Sequence, residues 1–167
     1  MQRSVRSFAY IATKESHTLI LGSMPGVKSL DAAQYYAHPQ NAFWKIMGRI
    51  FAMPVEDYTQ RIALICENNL ALWVVLAECE RDGSLDSAIS RNSIAVNDFA
   101  GFFRKHPRIT RVFFNGSTAE AEFKKRVLPD LEGAENITFT RLPSTSPAHA
   151  GMTFEKKLAA WRVLRKA

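Results

Sequence analysis

The sequence predicts an α/β fold with three layers, α/β/α, around a central and mainly parallel sheet of four strands. Four short apolar runs, at residues 18–21, 70–76, 111–114 and 137–141, alternate with segments whose apolar residues recur every three or four positions. Such alternation requires crossover connections, which place helices on both faces of a parallel sheet. The 167 residues are 47% hydrophobic, enough for one core, so we expect residues 1–167 to form a single domain.

The first half of the chain begins with a leader, Met1 to Ser16, in which Ser7-Phe8-Ala9 is predicted to pack against the first strand. A helical turn is predicted within residues 29–36. A helix is predicted over residues 42–51, because its apolar residues fall on one face: Phe43, Ile46, Met47 and Ile50. A second helix, over residues 57–69, then leads to the next strand.

In the second half, Leu70 to Leu76 is predicted as one buried strand, and residues 84–89 as a loop with a short helical turn. One helix is predicted from Asn97 or Asp98 to Lys105, and another from Ser117 or Thr118 to about Leu128. Thr153 is predicted to cap a terminal helix whose basic residues form a solvated face: Lys156, Lys157, Arg162, Arg165 and Lys166.

Charge and cysteine content narrow the class of partner and the compartment. The net charge of +6 and the pI near 9.5 favour an anionic partner such as nucleic acid. The only two cysteines, Cys66 and Cys79, have neither zinc nor iron–sulfur spacing and suit a reducing cytoplasm. We find no signal peptide and no membrane-spanning run, and expect a monomer.

The segment after the first strand is the most informative part of the chain. It opens with the turn Gly22-Ser23-Met24-Pro25-Gly26, whose glycines allow close approach of a ligand to the backbone. An aromatic run follows, with Tyr36, His38, Asn41 and Phe43 among its residues. Flat rings beside amides and an imidazole suit the stacking and hydrogen bonding of a planar heterocycle. Ordinary aromatic packing in the core would explain the same composition equally well.

The turn and the aromatic run together resemble the first motif of the uracil-DNA glycosylase superfamily, and in particular its hypoxanthine-DNA (deoxyinosine) glycosylase branch. The segment 72–86 and the loop after the fourth strand are similar to the same branch. The resemblance covers residues 19–149 and implies a glycosylase of base excision repair. Such an enzyme hydrolyses the N-glycosidic bond of deaminated bases in DNA, hypoxanthine and also uracil, without a metal or other cofactor.

The resemblance implies roles for individual residues. Much of the superfamily has an Asp or Asn, which orients the attacking water, at the position of Met24; in the hypoxanthine branch an Asn that matches Asn41 takes this role. A simple helix cap is the alternative for Asn41. Val74 stands where an acidic residue is usual in the branch. Base-binding residues are expected on the first motif, the aromatic run and the third strand end: Gly22, Ser23, Met24, Pro25, Tyr36, Phe43 and Asn115. Tyr36 and Phe43 could instead be core, and Asn115 a turn residue.

The loop after the fourth strand resembles the superfamily's second motif, which pinches the DNA backbone, although His149 follows the proline here instead of preceding it. His149 is the candidate for stabilising the leaving base. DNA contacts are expected from the rest of the loop: Ser144, Thr145, Ser146, Pro147 and Ala148. The first three can bond phosphates through hydroxyls and backbone N–H groups. A surface turn is the alternative for this loop.

Two other functions are compatible with the sequence. A non-catalytic nucleic-acid-binding module on the same fold would explain why Met24 replaces the usual Asp or Asn. A serine hydrolase that uses Ser144 or Ser146 with His149 is less well supported, because the chain has no Gly-x-Ser-x-Gly elbow and no clear acid partner.

Overall fold

The computed structural model describes residues 3–166, and the first two residues of the leader lie outside this range. Its centre is a parallel sheet of four strands: β2 (Thr18–Gly22), β3 (Leu70–Val74), β6 (Arg111–Asn115) and β7 (Thr138–Leu142). The order across the sheet is β3-β2-β6-β7, with every neighbouring pair parallel. The parallel sheet predicted from the four apolar runs is therefore confirmed.

The burial of β2 and β3 explains why their apolar runs form strands. Every residue of β2 and β3 is buried, as expected for parallel strands covered on both faces. Helices cover them: α1 (Val27–Ala32), α2 (Phe43–Phe51), α3 (Tyr58–Glu67), α4 (Phe99–Lys105), α5 (Ser117–Arg126) and α6 (Phe154–Trp161). Helix α2 packs against α3 and α6, whereas the rings of Phe99 and Phe123 join α4 to α5. This is the predicted three-layer arrangement.

A second sheet was not predicted. Strands β1 (Arg3–Arg6), β4 (Leu76–Arg81) and β5 (Ser90–Val96) form an antiparallel sheet in the order β1-β4-β5. The prediction of one strand over Leu70–Leu76 is wrong, because the apolar run continues through Val75 while the hydrogen-bond partners change. The leader pairs with β4 and, through Ile11, with Leu72 of β3. Within Ser7-Phe8-Ala9, Ser7 N donates to the Ala77 carbonyl and Phe8 packs on Tyr35, so packing of this segment against the first strand stays a prediction. The polar composition of β1 and β5 conceals them from hydrophobic periodicity.

The ends of the helices follow their capping residues. Asp57, Asp98 and Thr153 each accept a hydrogen bond from a backbone N–H in the first turn of α3, α4 and α6, which agrees with the predicted starts. Helix α5 begins after Gly116, with no side-chain cap, so a cap by Ser117 or Thr118 is wrong. Lys157 is only 5% exposed, which corrects its assignment to a solvated face. Within residues 3–166, no helix is long and apolar enough to cross a membrane.

Candidate active site

A cleft of about 640 Å³ opens at the carboxyl edge of the parallel sheet. The segments that follow β2, β6 and β7 all line it, as the parallel topology requires. A fourth segment, the turn after β4 that contains Ser84 and Asp86, also lines it and was not predicted as part of the site. The cleft is therefore built by the segments after β2, β6 and β7, by Val74 at the end of β3, and by the turn between β4 and β5.

The side chain of Tyr36 packs directly against the backbone of Gly22 in the cleft wall. A Cβ on Gly22 would lie 2.9 Å from the Tyr36 hydroxyl, so only glycine leaves this ring its place. Tyr36 itself has a φ of 54°, a left-handed conformation that is uncommon for a residue with a side chain. The turn after β2 and the aromatic run therefore fit together through one glycine and one strained tyrosine.

The ring of Tyr36 stacks on that of Phe43, with 4.0 Å between centroids and 29° between planes. Phe43 is fully buried and does not line the cleft, because Tyr36 on one side and Trp44 and Trp161 on the others cover it. The predicted base contact of Phe43 is therefore wrong, and its place on the apolar face of α2 is confirmed. Of the two rings predicted to stack on a base, Tyr36 is the one that lines the cleft.

The hydroxyl of Tyr36 is buried without a hydrogen-bond partner among the described residues. Burial raises the pKa of this phenol well above its ordinary value, and the nearby Asn115 amide offsets the rise only in part. The group is therefore a neutral hydroxyl at physiological pH.

Two substitutions of Tyr36 distinguish the role of its hydroxyl from that of its ring. Tyr36→Phe removes an unsatisfied buried hydroxyl. We therefore expect a free energy of unfolding close to that of wild type and a kcat/KM within about twofold of it. Tyr36→Ala removes the stacking surface, and we expect kcat/KM on a damaged duplex to fall by roughly tenfold to a hundredfold. Single-turnover kinetics and urea denaturation of both variants test this. Equal losses in the two variants would show that the ring is not a stacking surface.

Asn41 holds the start of α2 and also lines the cleft. Its Oδ1 accepts a hydrogen bond from the backbone N–H of Phe43, the first residue of α2, at 3.0 Å, although the N-cap position itself is Ala42. The same contact fixes which end of the amide carries the oxygen. Oδ1 keeps a second lone pair, and both Nδ2 hydrogens remain available to the cleft. Capping and water positioning are thus compatible in one side chain.

Asn115 is bound to the loop after β7 by two reciprocal hydrogen bonds. Its Nδ2 donates to Thr145 Oγ1 at 3.0 Å, and its Oδ1 accepts from the backbone N–H of Thr145 at 2.9 Å. Thr145 is 1% exposed, so the prediction that it contacts DNA is wrong; it anchors the loop. Asn115 lines the cleft, but its polar atoms serve this anchor. Gly116 follows Asn115 with a φ of +95°. A Cβ added to Gly116 would lie 3.1 Å from Ser144 Cβ, so any other residue here would be strained and crowded.

The rest of this loop turns back on itself through its own hydroxyls. Ser144 Oγ accepts from Ser146 N at 3.2 Å, and Ser146 Oγ accepts from Ala148 N at 3.1 Å. Beneath the loop, the ammonium of the buried Lys157 donates to the Ser146 carbonyl at 3.4 Å, and burial lowers the pKa of this lysine. His149 is exposed at the cleft, where its side chain makes no hydrogen bond within the described residues. Neither serine pairs with His149, which leaves a serine hydrolase without its nucleophile–base pair.

The turn Gly22 to Gly26 is fixed from behind by a buried cation. Arg81, on β4, is 1% exposed and its Nη2 donates to the Pro25 carbonyl at 2.6 Å. Its Nε and Nη1 have no partner among residues 3–166. Ser23 and Met24 are both buried and line the cleft, and Met24 offers no group that could orient water. His38 also lines the cleft, with Nδ1 accepting from Gln40 N at 3.1 Å.

The described part of the chain contains no group of three or more His, Cys, Asp or Glu side chains that could hold a metal ion. Cys66 and Cys79 are both free thiols. The polar groups of the cleft are amides, hydroxyls, imidazoles, Lys28 and one carboxylate, that of Asp86. These groups can bind, orient and stabilise a charged leaving group.

The fold and the cleft define a protein of the uracil-DNA glycosylase class. A solution NMR structure of a candidate uracil DNA glycosylase from Methanosarcina acetivorans superposes with a TM-score of 0.77 and 27% identity, over 98% of this chain and 99% of that one. No protein-family model matches the chain.

Sequence comparison gives the branch. The chain is 33% identical over 139 residues to a hypoxanthine DNA glycosylase of Methanosarcina acetivorans, covering 77% of this chain and 87% of the relative. It is 33% identical over 113 residues to a hypoxanthine DNA glycosylase of Methanosarcina barkeri, covering 66% and 70% respectively. The chain therefore belongs to the hypoxanthine DNA glycosylase branch of the uracil-DNA glycosylase superfamily.

Proposed function

We propose that this member of the DNA glycosylase family removes deaminated bases from DNA, hypoxanthine above all and uracil as a second substrate. It would act as a monomer in the cytoplasm, where its two free thiols stay reduced. The observation that carries the proposal is that the Tyr36 ring and the oriented amide of Asn41 line the same cleft. A flipped base needs a flat ring to stack on, and the sugar attached to it needs a positioned water.

The reaction begins with extrusion of the damaged nucleotide from the duplex into the cleft. The C1′–N bond then breaks, its electron pair leaves with the base, and the sugar becomes an oxocarbenium ion. A water held by Asn41 adds to C1′ and loses a proton to solvent, which leaves an abasic site. An amide is too weak a base to activate this water, so Asn41 contributes by position.

The leaving base carries negative charge as the bond breaks, and a donor beside it lowers the barrier. His149 is our candidate for this donor, because its imidazole is exposed at the cleft and free of side-chain partners within the described residues. The hydroxyls of Ser144 and Ser146 accept from backbone N–H groups, which leaves their own hydrogens free for phosphate oxygens. The loop can thus bind the DNA backbone while His149 approaches the base.

A panel of labelled duplexes, each with one altered base, tests the proposal. We expect an abasic site to form in the labelled hypoxanthine duplex. Uracil should be released more slowly, and no base should be released from undamaged DNA. Tight binding to the hypoxanthine duplex with no base release would instead identify a non-catalytic binding module. Release of uracil alone would contradict the preference for hypoxanthine.

We expect base release without strand cleavage. A glycosylase that also cuts the strand forms a Schiff base through an amine. Lys28 is the only lysine among the described residues that line the cleft, and it is exposed at the rim. Borohydride reduction during turnover should therefore trap no protein–DNA adduct, and Lys28→Ala should release hypoxanthine at the wild-type rate within about twofold. An adduct that disappears in Lys28→Ala would contradict this.

A further inference from the structure

The cleft contains one carboxylate among its described lining residues, and the proposed reaction does not use it. Asp86 begins a short 3₁₀ turn, Asp86–Ala88, between β4 and β5. Its Oδ1 accepts a hydrogen bond from Ser23 Oγ at 2.7 Å, which ties the carboxyl group to the turn after β2. Neither Met24 nor Val74, which also line the cleft, supplies such a charge.

Groups from three other elements act on this carboxyl group. Asp86 is solvent-exposed at the cleft, yet desolvation by the protein around its carboxyl group raises its pKa, whereas the hydroxyl of Ser23, the charge of Arg81 and the hydroxyl of Thr118 offset the rise in part. Thr118 lies in the first turn of α5, directly after β6. The guanidinium of Arg81 is buried with two unpaired nitrogens behind the same wall. Ser23 bonds only Oδ1, so the rest of the carboxylate can accept a hydrogen bond from a ligand in the cleft.

The chemistry of deamination gives this oxygen a specific target. Adenine presents a lone pair at N1, and deamination to hypoxanthine converts N1 into an N–H donor. Uracil differs from cytosine in the same way at N3. An ionised carboxylate only accepts hydrogen bonds, so it attracts the N–H of the deaminated base and repels the lone pair of the parent base. A site built on such a group rejects the mismatched base strongly because its polar atoms are then left unpaired.

We propose that Asp86 is the specificity-determining residue of the cleft and reads the ring N–H that deamination creates. The inference rests on the proposed function, because it assumes that a base enters this cleft. The position of Asp86 supports it: Ser23, which directly follows β2, donates to the carboxyl group, and Asp86 lines the same cleft as Asn115 at the end of β6. The same strand end carries Asn115, and the charge of Asp86 also acts on the hydroxyl end of Tyr36. The base edge that extends beyond the Tyr36 ring would thus meet Asp86.

The test compares Asp86→Asn with wild type on two duplexes that differ only in hypoxanthine and adenine. Asparagine keeps the size of the side chain but can also donate to N1 of adenine. We expect hypoxanthine release to slow by roughly tenfold to a hundredfold and the preference for hypoxanthine over adenine to narrow by about a hundredfold. Asp82→Asn, an exposed neighbour outside the cleft, is the matched control and should leave both rates unchanged.

A second measurement requires no variant. Wild type should release 1-methylhypoxanthine at least about a hundredfold more slowly than hypoxanthine, since the methyl group replaces the N–H that Asp86 reads. Equal release of the two bases, or an Asp86→Asn variant that keeps the wild-type preference, overturns the role of Asp86 alone. A wild-type protein that releases no base from any duplex overturns the proposed function, and this inference with it.

Discussion

Replacing Asn41 by alanine should lower the single-turnover rate of hypoxanthine release by roughly two to three orders of magnitude, the scale of losing one preorganised polar group at a reacting centre. The amide oxygen is fixed by the backbone N–H of Phe43, so the rest of the amide faces the cleft in one orientation. Affinity for a duplex with an uncleavable hypoxanthine analogue should change little, because the lost contact acts on the water and not on the bound base.

The same hydrogen bond also ties Asn41 to the first residue of α2, and the experiment must separate this structural role from water positioning. Loss of a cap costs about 1 kcal/mol of stability. Asp57→Ala is the matched control, since Asp57 caps α3 by accepting from Gln60 N at 2.8 Å and lies outside the cleft. We expect similar losses of stability in the two variants and a loss of activity in Asn41→Ala alone. If Asn41→Ala folds normally and acts within about threefold of wild type, the residue is a cap and nothing more.

Apolar patterning predicted the central sheet because buried parallel strands leave a direct mark on the sequence. All residues of β2 are buried, as expected for a continuous apolar run such as Leu19-Ile20-Leu21, which must be covered on both faces of the sheet. Strands β1 and β5 leave no such mark, since they lie in a sheet with exposed, charged residues. The helix period also outweighed the family resemblance at Phe43: its spacing with Ile46 and Ile50 predicted a core residue, and the structure agrees.

The site was predictable by location more than by contact. Polar residues at the ends of β2, β6 and β7 indicated one edge of the sheet, which is where the cleft lies. The sequence could not show that Asn115 and Thr145 satisfy each other, because hydrogen-bond pairing over 30 residues depends on the packed fold. Asp86 was missed for a related reason. It lies in the turn between β4 and β5 of the second sheet, and only the packing of the two sheets brings this turn to Ser23.

The second large effect is expected at the anchor between Asn115 and Thr145. Asn115→Ala removes both of its hydrogen bonds and leaves the buried N–H and hydroxyl of Thr145 without partners. Each unsatisfied buried group costs about 1–3 kcal/mol, so we expect the free energy of unfolding to fall by roughly 2–4 kcal/mol. The loop that carries Ser144 and His149 loses its attachment to β6, and DNA affinity should fall with it.

A double-mutant cycle with Thr145→Val measures the anchor itself. Thr145→Val removes the hydroxyl that accepts from Asn115 Nδ2, so this hydrogen bond is absent with either Asn or Ala at position 115. The coupling free energy between the two substitutions, measured by urea denaturation, should reach about 1 kcal/mol. Asn92→Ala, an exposed asparagine on β5, is the control and should change stability by less than about 0.5 kcal/mol. Hydrogen exchange at the Thr145 amide should accelerate in Asn115→Ala, because that N–H donates to the lost Oδ1. An unchanged exchange rate with unchanged stability would mean that the cleft loop is held by its other contacts, the Ala42 N–H on the Thr145 carbonyl and Lys157 on the Ser146 carbonyl.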